Sequence, residues 1–124
     1  MRFSITAALV ALSVVGCAAV PAPAMIGDTA KGKTFTDAKG MTLYTFDKDE
    51  GGKSACNGPC AKNWPPLIAT TDKAPDGWMA ITRDDGTKQW AYKGKPLYTW
   101  AKDTKPGDIT GDGFLKNAWH VAQP

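Results

Sequence analysis

Lys39-Gly40-Met41-Thr42-Leu43-Tyr44-Thr45-Phe46-Asp47-Lys48-Asp49 returns 54 residues later as Lys93-Gly94-Lys95-Pro96-Leu97-Tyr98-Thr99-Trp100-Ala101-Lys102-Asp103. Seven of the eleven positions are identical, and Phe46 is answered by another aromatic, Trp100. Trp64 answers Trp119 at an offset of 55, so the correspondence continues past the motif with a one-residue insertion. Two copies are too few for a solenoid, where about three repeats are needed to bury a common core. One domain with two pseudo-symmetric halves is the expectation.

Within each copy, the Lys-Gly pair is a turn, because glycine supplies the positive φ of tight turns. Residues 43–46 and 97–100 follow as aromatic-rich extended runs, hence strands. Alternation puts Leu and Thr on one face, and Tyr with the second aromatic on the other. Candidate strands at residues 33–36 and 89–92 precede the turns, which makes each half a hairpin. Asp49 and Asp103 close the motif, where a carboxylate can accept backbone N–H groups and start the next turn. Helix is expected to be scarce: one short turn within residues 55–63, stopped by Trp64-Pro65-Pro66, since a residue before proline leaves the α region. The predicted fold is mainly β, a single small antiparallel β domain of two pseudo-symmetric hairpin-based halves. It occupies residues 25–124, with repeats at about 33–68 and 87–124.

The chain has 124 residues, of which the first 24 read as an export segment and tether. Met1-Arg2 is followed by Phe3 to Val15, a run of thirteen residues without a charge before Gly16, signal-peptide length and too short to span a bilayer. Val14-Val15-Gly16-Cys17 fits a lipobox that would acylate Cys17, whereas Ala22-Pro23-Ala24 fits an ordinary signal-peptidase site. Lipidation or removal would each account for Cys17, the odd one of three cysteines. Either route places the domain outside the cytoplasm: a periplasmic or outer-surface lipoprotein held to the membrane by its lipid, or a freely secreted protein. The remaining 100 residues suffice for one domain. Fifteen Lys+Arg against twelve Asp+Glu give a formal charge of +3, too little for a dedicated nucleic-acid binder. Beyond residue 24 the chain has four Leu, four Ile and one Val against eleven aromatics, so the core is expected to be built from Trp, Tyr and Phe.

The run Leu43-Tyr44-Thr45-Phe46-x-x-Asp49, Cys56-x-x-x-Cys60 and Trp64-Pro65-Pro66-Leu67 resembles the bacterial secreted-repeat lipoproteins, a family described by a Tyr-x-(Phe/Trp/Tyr)-x-x-Asp motif. The second half fits equally, with Asp85-Gly86, Gln89-Trp90-x-Tyr92-x-Gly94-x-Pro96-Leu97-Tyr98, Asp103, Pro106-Gly107-Asp108, Gly111-Asp112-Gly113 and Trp119-His120. The resemblance covers about residues 33–124. It implies an exported or lipid-anchored protein with no established biochemical activity, and it carries over no active site.

Cys56-Asn57-Gly58-Pro59-Cys60 is the sharpest local chemistry. Gly58-Pro59 turns the chain, so a disulfide across four residues can close in an oxidising compartment. The rival is copper: two soft thiolates with His120, the single histidine, would suit Cu(I) or Cu(II). Thiol exchange normally uses Cys-x-x-Cys, which is absent. Asp103, Asp108 and Asp112 lie in a Gly-rich stretch, but no Glu closes an EF-hand loop, and Asx turns account for them. One Ser beyond the export segment (Ser54), one His and one Glu (Glu50) offer no recognisable catalytic constellation. The carboxylates at Asp47, Asp49, Asp84 and Asp85 sit at turns. No enzymatic activity and no cofactor are therefore expected, copper being the alternative. Aromatics beside Lys93, Lys95, Lys102 and Lys105 could grip glycan, lipid or an anionic partner, but Tyr44, Phe46, Tyr98 and Trp100 are read first as core. A binding or scaffolding module with an unidentified envelope partner is the leading functional expectation.

Overall fold

The computed structural model describes residues 20–124; residues 1–19, with Cys17 among them, lie outside that range. The chain runs β1 (Met25–Thr29), β2 (Gly32–Thr36), β3 (Tyr44–Phe46), α1 (Pro59–Asn63), β4 (Trp78–Thr82), β5 (Lys88–Tyr92), β6 (Lys95–Pro96), α2 (Phe114–Asn117) and β7 (Trp119–Val121). All strand pairing is antiparallel, in three small sheets: β1-β2, β3-β7 and β4-β5-β6. Over the described residues the fold is mainly β with two very short helices, built as two repeat-like halves. Among the described residues no helix is long and apolar enough to cross a membrane.

Each half opens with a hairpin and then turns into its motif. In the second half Lys93 and Gly94 both have positive φ, 50° and 83°, and join β5 to β6 as a two-residue turn of the primed kind that suits twisted strands. In the first half the loop after β2 is one residue longer. Asp37 Oδ1 accepts the N–H groups of Lys39 and Met41, and Gly40 takes φ 82°. The two loops thus differ in length but deliver Leu43 and Leu97 to equivalent places: Leu43 N donates to Phe35 O, and Leu97 N donates to Trp90 O.

The motif segments then meet head-on. Tyr44 N donates to Tyr98 O at 2.7 Å, and Tyr98 N donates to Tyr44 O at 3.0 Å. A pair of identical residues exchanging both backbone bonds marks a pseudo-two-fold axis through the middle of the domain. On its far side, each motif pairs with the end of the other half. Residues Tyr44, Thr45 and Phe46 face Val121, His120 and Trp119. Around the axis, Tyr98 bridges Pro66, Thr99 N donates to Pro65 O, and Ala101 N donates to Asn63 O. Residues 97–100 are extended, as expected, but do not form a regular strand. Their partners Pro65 and Pro66 have no N–H to donate, so half of the ladder is missing.

This central layer buries both its faces. Tyr44, Phe46, Tyr98 and Trp100 lie on one side with Cys56, Trp64, Trp119 and Val121. Leu43 and Leu97 lie on the other with Phe35 and Ala122. The alternation read from the motif is therefore the division between two cores. On the aromatic side four rings stack in the order Phe46, Trp119, Trp64, Trp100, with centroid spacings of 4.1, 3.7 and 4.0 Å. The central Trp64–Trp119 pair is within 2° of parallel and straddles the axis. Edge-on to it sit the two tyrosines, Tyr44 against Trp64 and Tyr98 against Trp119.

The halves differ most between motif and tryptophan. In the first, Cys56 and Cys60 are joined as a disulfide (S–S 2.03 Å), and Pro59 begins the right-handed turn of α1. In the second, Gly111 and Leu115 take those places. Gly111 is packed so tightly that a Cβ would lie 2.6 Å from Trp64 and 2.9 Å from Trp100. Leu115, Lys116 and Asn117 all have positive φ (58°, 55° and 66°), a left-handed turn that L-residues adopt at a cost of about 1–2 kcal/mol each.

Candidate functional site

The chemistry-bearing motif residues converge at the junction of the halves, and they do so crosswise. Tyr44 donates its hydroxyl proton to Asp103 Oδ2 at 2.6 Å, and Tyr98 donates to Asp49 Oδ2 at 2.7 Å. The tyrosine of each copy therefore bonds the aspartate of the other. Each carboxylate uses its second oxygen to fix the loop beyond it: Asp49 Oδ1 accepts Ala55 N, and Asp103 Oδ1 accepts Thr110 N and Oγ1. Burial raises the pKa of both phenols, and the neighbouring aspartates push in the same direction, so both stay protonated donors. Desolvation also raises Asp49, against the opposing pull of its bonds from Ala55 and Tyr98 and of the Arg83 charge.

The two crossings differ in what stands behind the tyrosine. Gly111 N approaches Tyr44 Oη at 3.3 Å. Tyr98 Oη instead meets Ser54 Oγ at 2.7 Å, and Ser54 Oγ accepts from Arg83 Nη1 at 3.0 Å. Since Tyr98 gives its proton to Asp49, Ser54 must donate to Tyr98. A buried line of hydrogen bonds thus runs from the Arg83 guanidinium through two hydroxyls to the Asp49 carboxylate. Arg83 is only 4% exposed and also donates to Gln89 Oε1 and to the Cys56 carbonyl. This pins the disulfide loop of one half to the β4-β5 corner of the other. Sequence reading passed over Arg83 and placed Gln89 only in a strand and in the family pattern. The available signal was that Arg83 is the single arginine after Arg2, among thirteen lysines, and a fork of five fixed donors is what such a junction needs.

The other sequence candidates are dispersed. His120, on β7, contacts Asp47 Oδ2 through Nε2 at 2.9 Å, and both side chains are largely exposed. The sulfurs of Cys56 and Cys60 are bonded to each other, so thiolate ligation of copper would first require their reduction. No group of three His, Cys, Asp or Glu side chains is placed to hold a metal ion among the described residues. Asp103, Asp108 and Asp112 do not converge either. Asp108 closes a turn by accepting from Thr104 and Lys105, and Asp112 pairs with Lys31 at 3.0 Å while accepting Val121 N. Both titrate below the ordinary carboxylate range. In Asp112 partial burial opposes this and is outweighed by Val121 N–H and Lys31; in Asp108 the Thr104 N–H leads. Lys93 and Lys102 do lie over aromatic rings, those of Tyr92 and Trp100.

An open cleft of about 240 Å³ lies beside the β3-β7 pairing. Tyr92 and the small uncovered edges of Phe35 and Leu97 give it an apolar floor, while Thr45, Asp47, Lys95 and His120 supply polar groups. Both halves contribute to it, so it exists only when the junction is closed. Arg83, Ser54 and Tyr98 sit in the interior, whereas the cleft is open to solvent.

No curated protein and no solved structure matches the chain. The profile of a family described as a secreted repeat of unknown function matches twice, over residues 25–68 and 79–123. These segments take in β1 to the Trp64 turn and β4 to the C-terminal strand, each a half with the hairpin that opens it. The chain belongs to this family of secreted repeats, as an exported protein carrying two copies of the unit.

Proposed function

We propose that the protein is a lipid-anchored, non-enzymatic binding module of the cell envelope, tethered through Cys17, whose ligand enters the cleft at the junction of the halves. The observation that carries this reading is the cleft's composition. The Tyr92 ring and the small uncovered edges of Phe35 and Leu97 form an apolar floor under a rim holding Lys95, His120 and Asp47, and an apolar surface beside a few directed polar groups is how small-ligand sites orient what they bind. The motif groups with the strongest chemistry support a non-catalytic reading, because Tyr44, Tyr98, Asp49 and Asp103 are all engaged with one another across the junction. The ligand class that suits the cleft is a compact amphiphile with an apolar body and an acidic end beside Lys95.

NMR titration of the exported domain with small aromatic and aliphatic carboxylates tests the site. Saturable shifts confined to Lys95, His120 and the Leu97 methyls, abolished by Lys95→Ala, are expected; a screen that moves none of these signals overturns the ligand site. Mass spectrometry of the mature N-terminus tests the anchor separately. A diacyl or triacyl Cys17 is expected, and a product starting at Met25 removes the anchor.

A further inference from the structure

We propose that the junction between the halves also serves as an interface between chains, in which two molecules associate by exchanging halves. Residues 25–68 of one chain would seat on residues 78–124 of a second copy. The partner is chosen by the symmetry of the contact. The central Tyr44–Tyr98 exchange, the crossed tyrosine–aspartate bonds and the Trp64–Trp119 stack all join one segment to the other. So do the bonds from Arg83 to Ser54 and Cys56, and the Lys31–Asp112 pair. Every one of these contacts survives unchanged when its two members come from different molecules, which is the condition for domain swapping.

The connection permits it. Between Ala69, bonded to Lys88 O, and Trp78, opposite Tyr92, residues 70–77 form no strand or helix. Residues 70–73 are exposed, Lys73 N–H bonds to Thr71 Oγ1 within the segment and Trp78 N–H to Pro75 O, and only at its last residue does the segment meet the rest of the fold, where Gly77 O accepts Lys93 N–H. Ala69 and Trp78 flank β5 on opposite edges and at opposite ends. Their separation is therefore about 17 Å, from four residues of rise and two strand spacings. The nine peptide links between them reach about 30 Å, so the native connection closes within one chain with slack to spare. Removing residues 71–75 leaves four links, about 14 Å at full extension, too short to close within one chain.

The test uses the chain with Cys17→Ser and the reporter pair Thr45→Cys and His120→Cys, which face each other across β3 and β7. With residues 71–75 deleted, light scattering is expected to give twice the chain mass. Oxidation should then yield a covalent dimer that falls to one chain on reduction. A monomer bridged within itself, or a dimer whose bridges stay within single chains, overturns the proposal. If the deletion prevents folding, the intact connection decides. Unlabelled and ¹⁵N-labelled chains are unfolded together, refolded at rising concentration and oxidised. Mixed light–heavy dimers that increase with concentration are expected. Closure only within single chains up to millimolar protein overturns exchange.

Discussion

At the scale of single residues, the crossed tyrosine–aspartate bonds make a prediction that proximity in sequence would reverse. Tyr98→Phe removes the donor to Asp49, and the expected loss is about 1.5–3 kcal/mol, the range for hydrogen bonds to charged groups. A double-mutant cycle by denaturant unfolding should show coupling above about 0.5 kcal/mol between Tyr98 and Asp49. Tyr98 and Asp103, from the same copy, should behave additively, and coupling in that pair with none in the other would show that the crossing is wrong. Arg83→Lys is expected to cost about 2 kcal/mol or more, since one ammonium nitrogen cannot stand in both places from which the guanidinium donates, Nη1 to Ser54 and Gln89 and Nη2 to the Cys56 carbonyl. The acid limb of stability should report Asp112, whose pKa is lowered in the folded state by Val121 N–H and Lys31. A lowered carboxylate stabilises the fold above its unfolded value, near 4, and that contribution is lost as pH falls through its folded value. Chemical unfolding from pH 7 to 3 should therefore show Asp112→Asn about 1–2 kcal/mol less stable at neutral pH, with the gap closing in acid. The motif's tyrosines and aspartates were visible in the sequence as repeated and as core or turn residues. Their partners were not, because a five-residue spacing suggests a bond within one copy, and only the tertiary axis decides otherwise.

At the scale of elements, the second half carries strain where the first carries a covalent link. Lys116 at φ 55° has no need of its side chain for burial. Lys116→Gly should accordingly raise the unfolding midpoint by relieving left-handed strain of about 1–2 kcal/mol, less the backbone entropy of glycine at roughly 0.5–1 kcal/mol. A drop in midpoint would mean the turn is held by contacts of that lysine instead. Gly111→Ala should go the other way, since its methyl group would drive into the Trp64 and Trp100 rings. The hairpins were legible because Lys-Gly turns and alternating aromatics act locally. The irregular run at residues 97–100 was not. It depends on Pro65 and Pro66 arriving beside it from the other half, and nothing local to Leu97 or Tyr98 signals the missing donors.

At the scale of the whole molecule, neither half has a complete core of its own, because each motif is covered by the other half's tryptophan segment. Heating should therefore produce a single transition, with calorimetric and van't Hoff enthalpies equal within error. Two resolved transitions would mean the halves fold independently. Replacing Cys56 and Cys60 by Ser is expected to lower stability by about 2 kcal/mol, the loop-closure value for so short a ring, while leaving that single transition intact. The repeat and the mainly β class were readable from a 54-residue offset. The Arg83 line and the cleft were not, since both exist only where two distant segments meet. The tryptophan column gives this meeting an optical consequence. Trp64 and Trp119, one from each half, lie 3.7 Å apart and parallel, so light absorbed by one indole is shared with the other. Their exciton signal in circular dichroism belongs to neither half alone: it vanishes when the halves part and returns when they close.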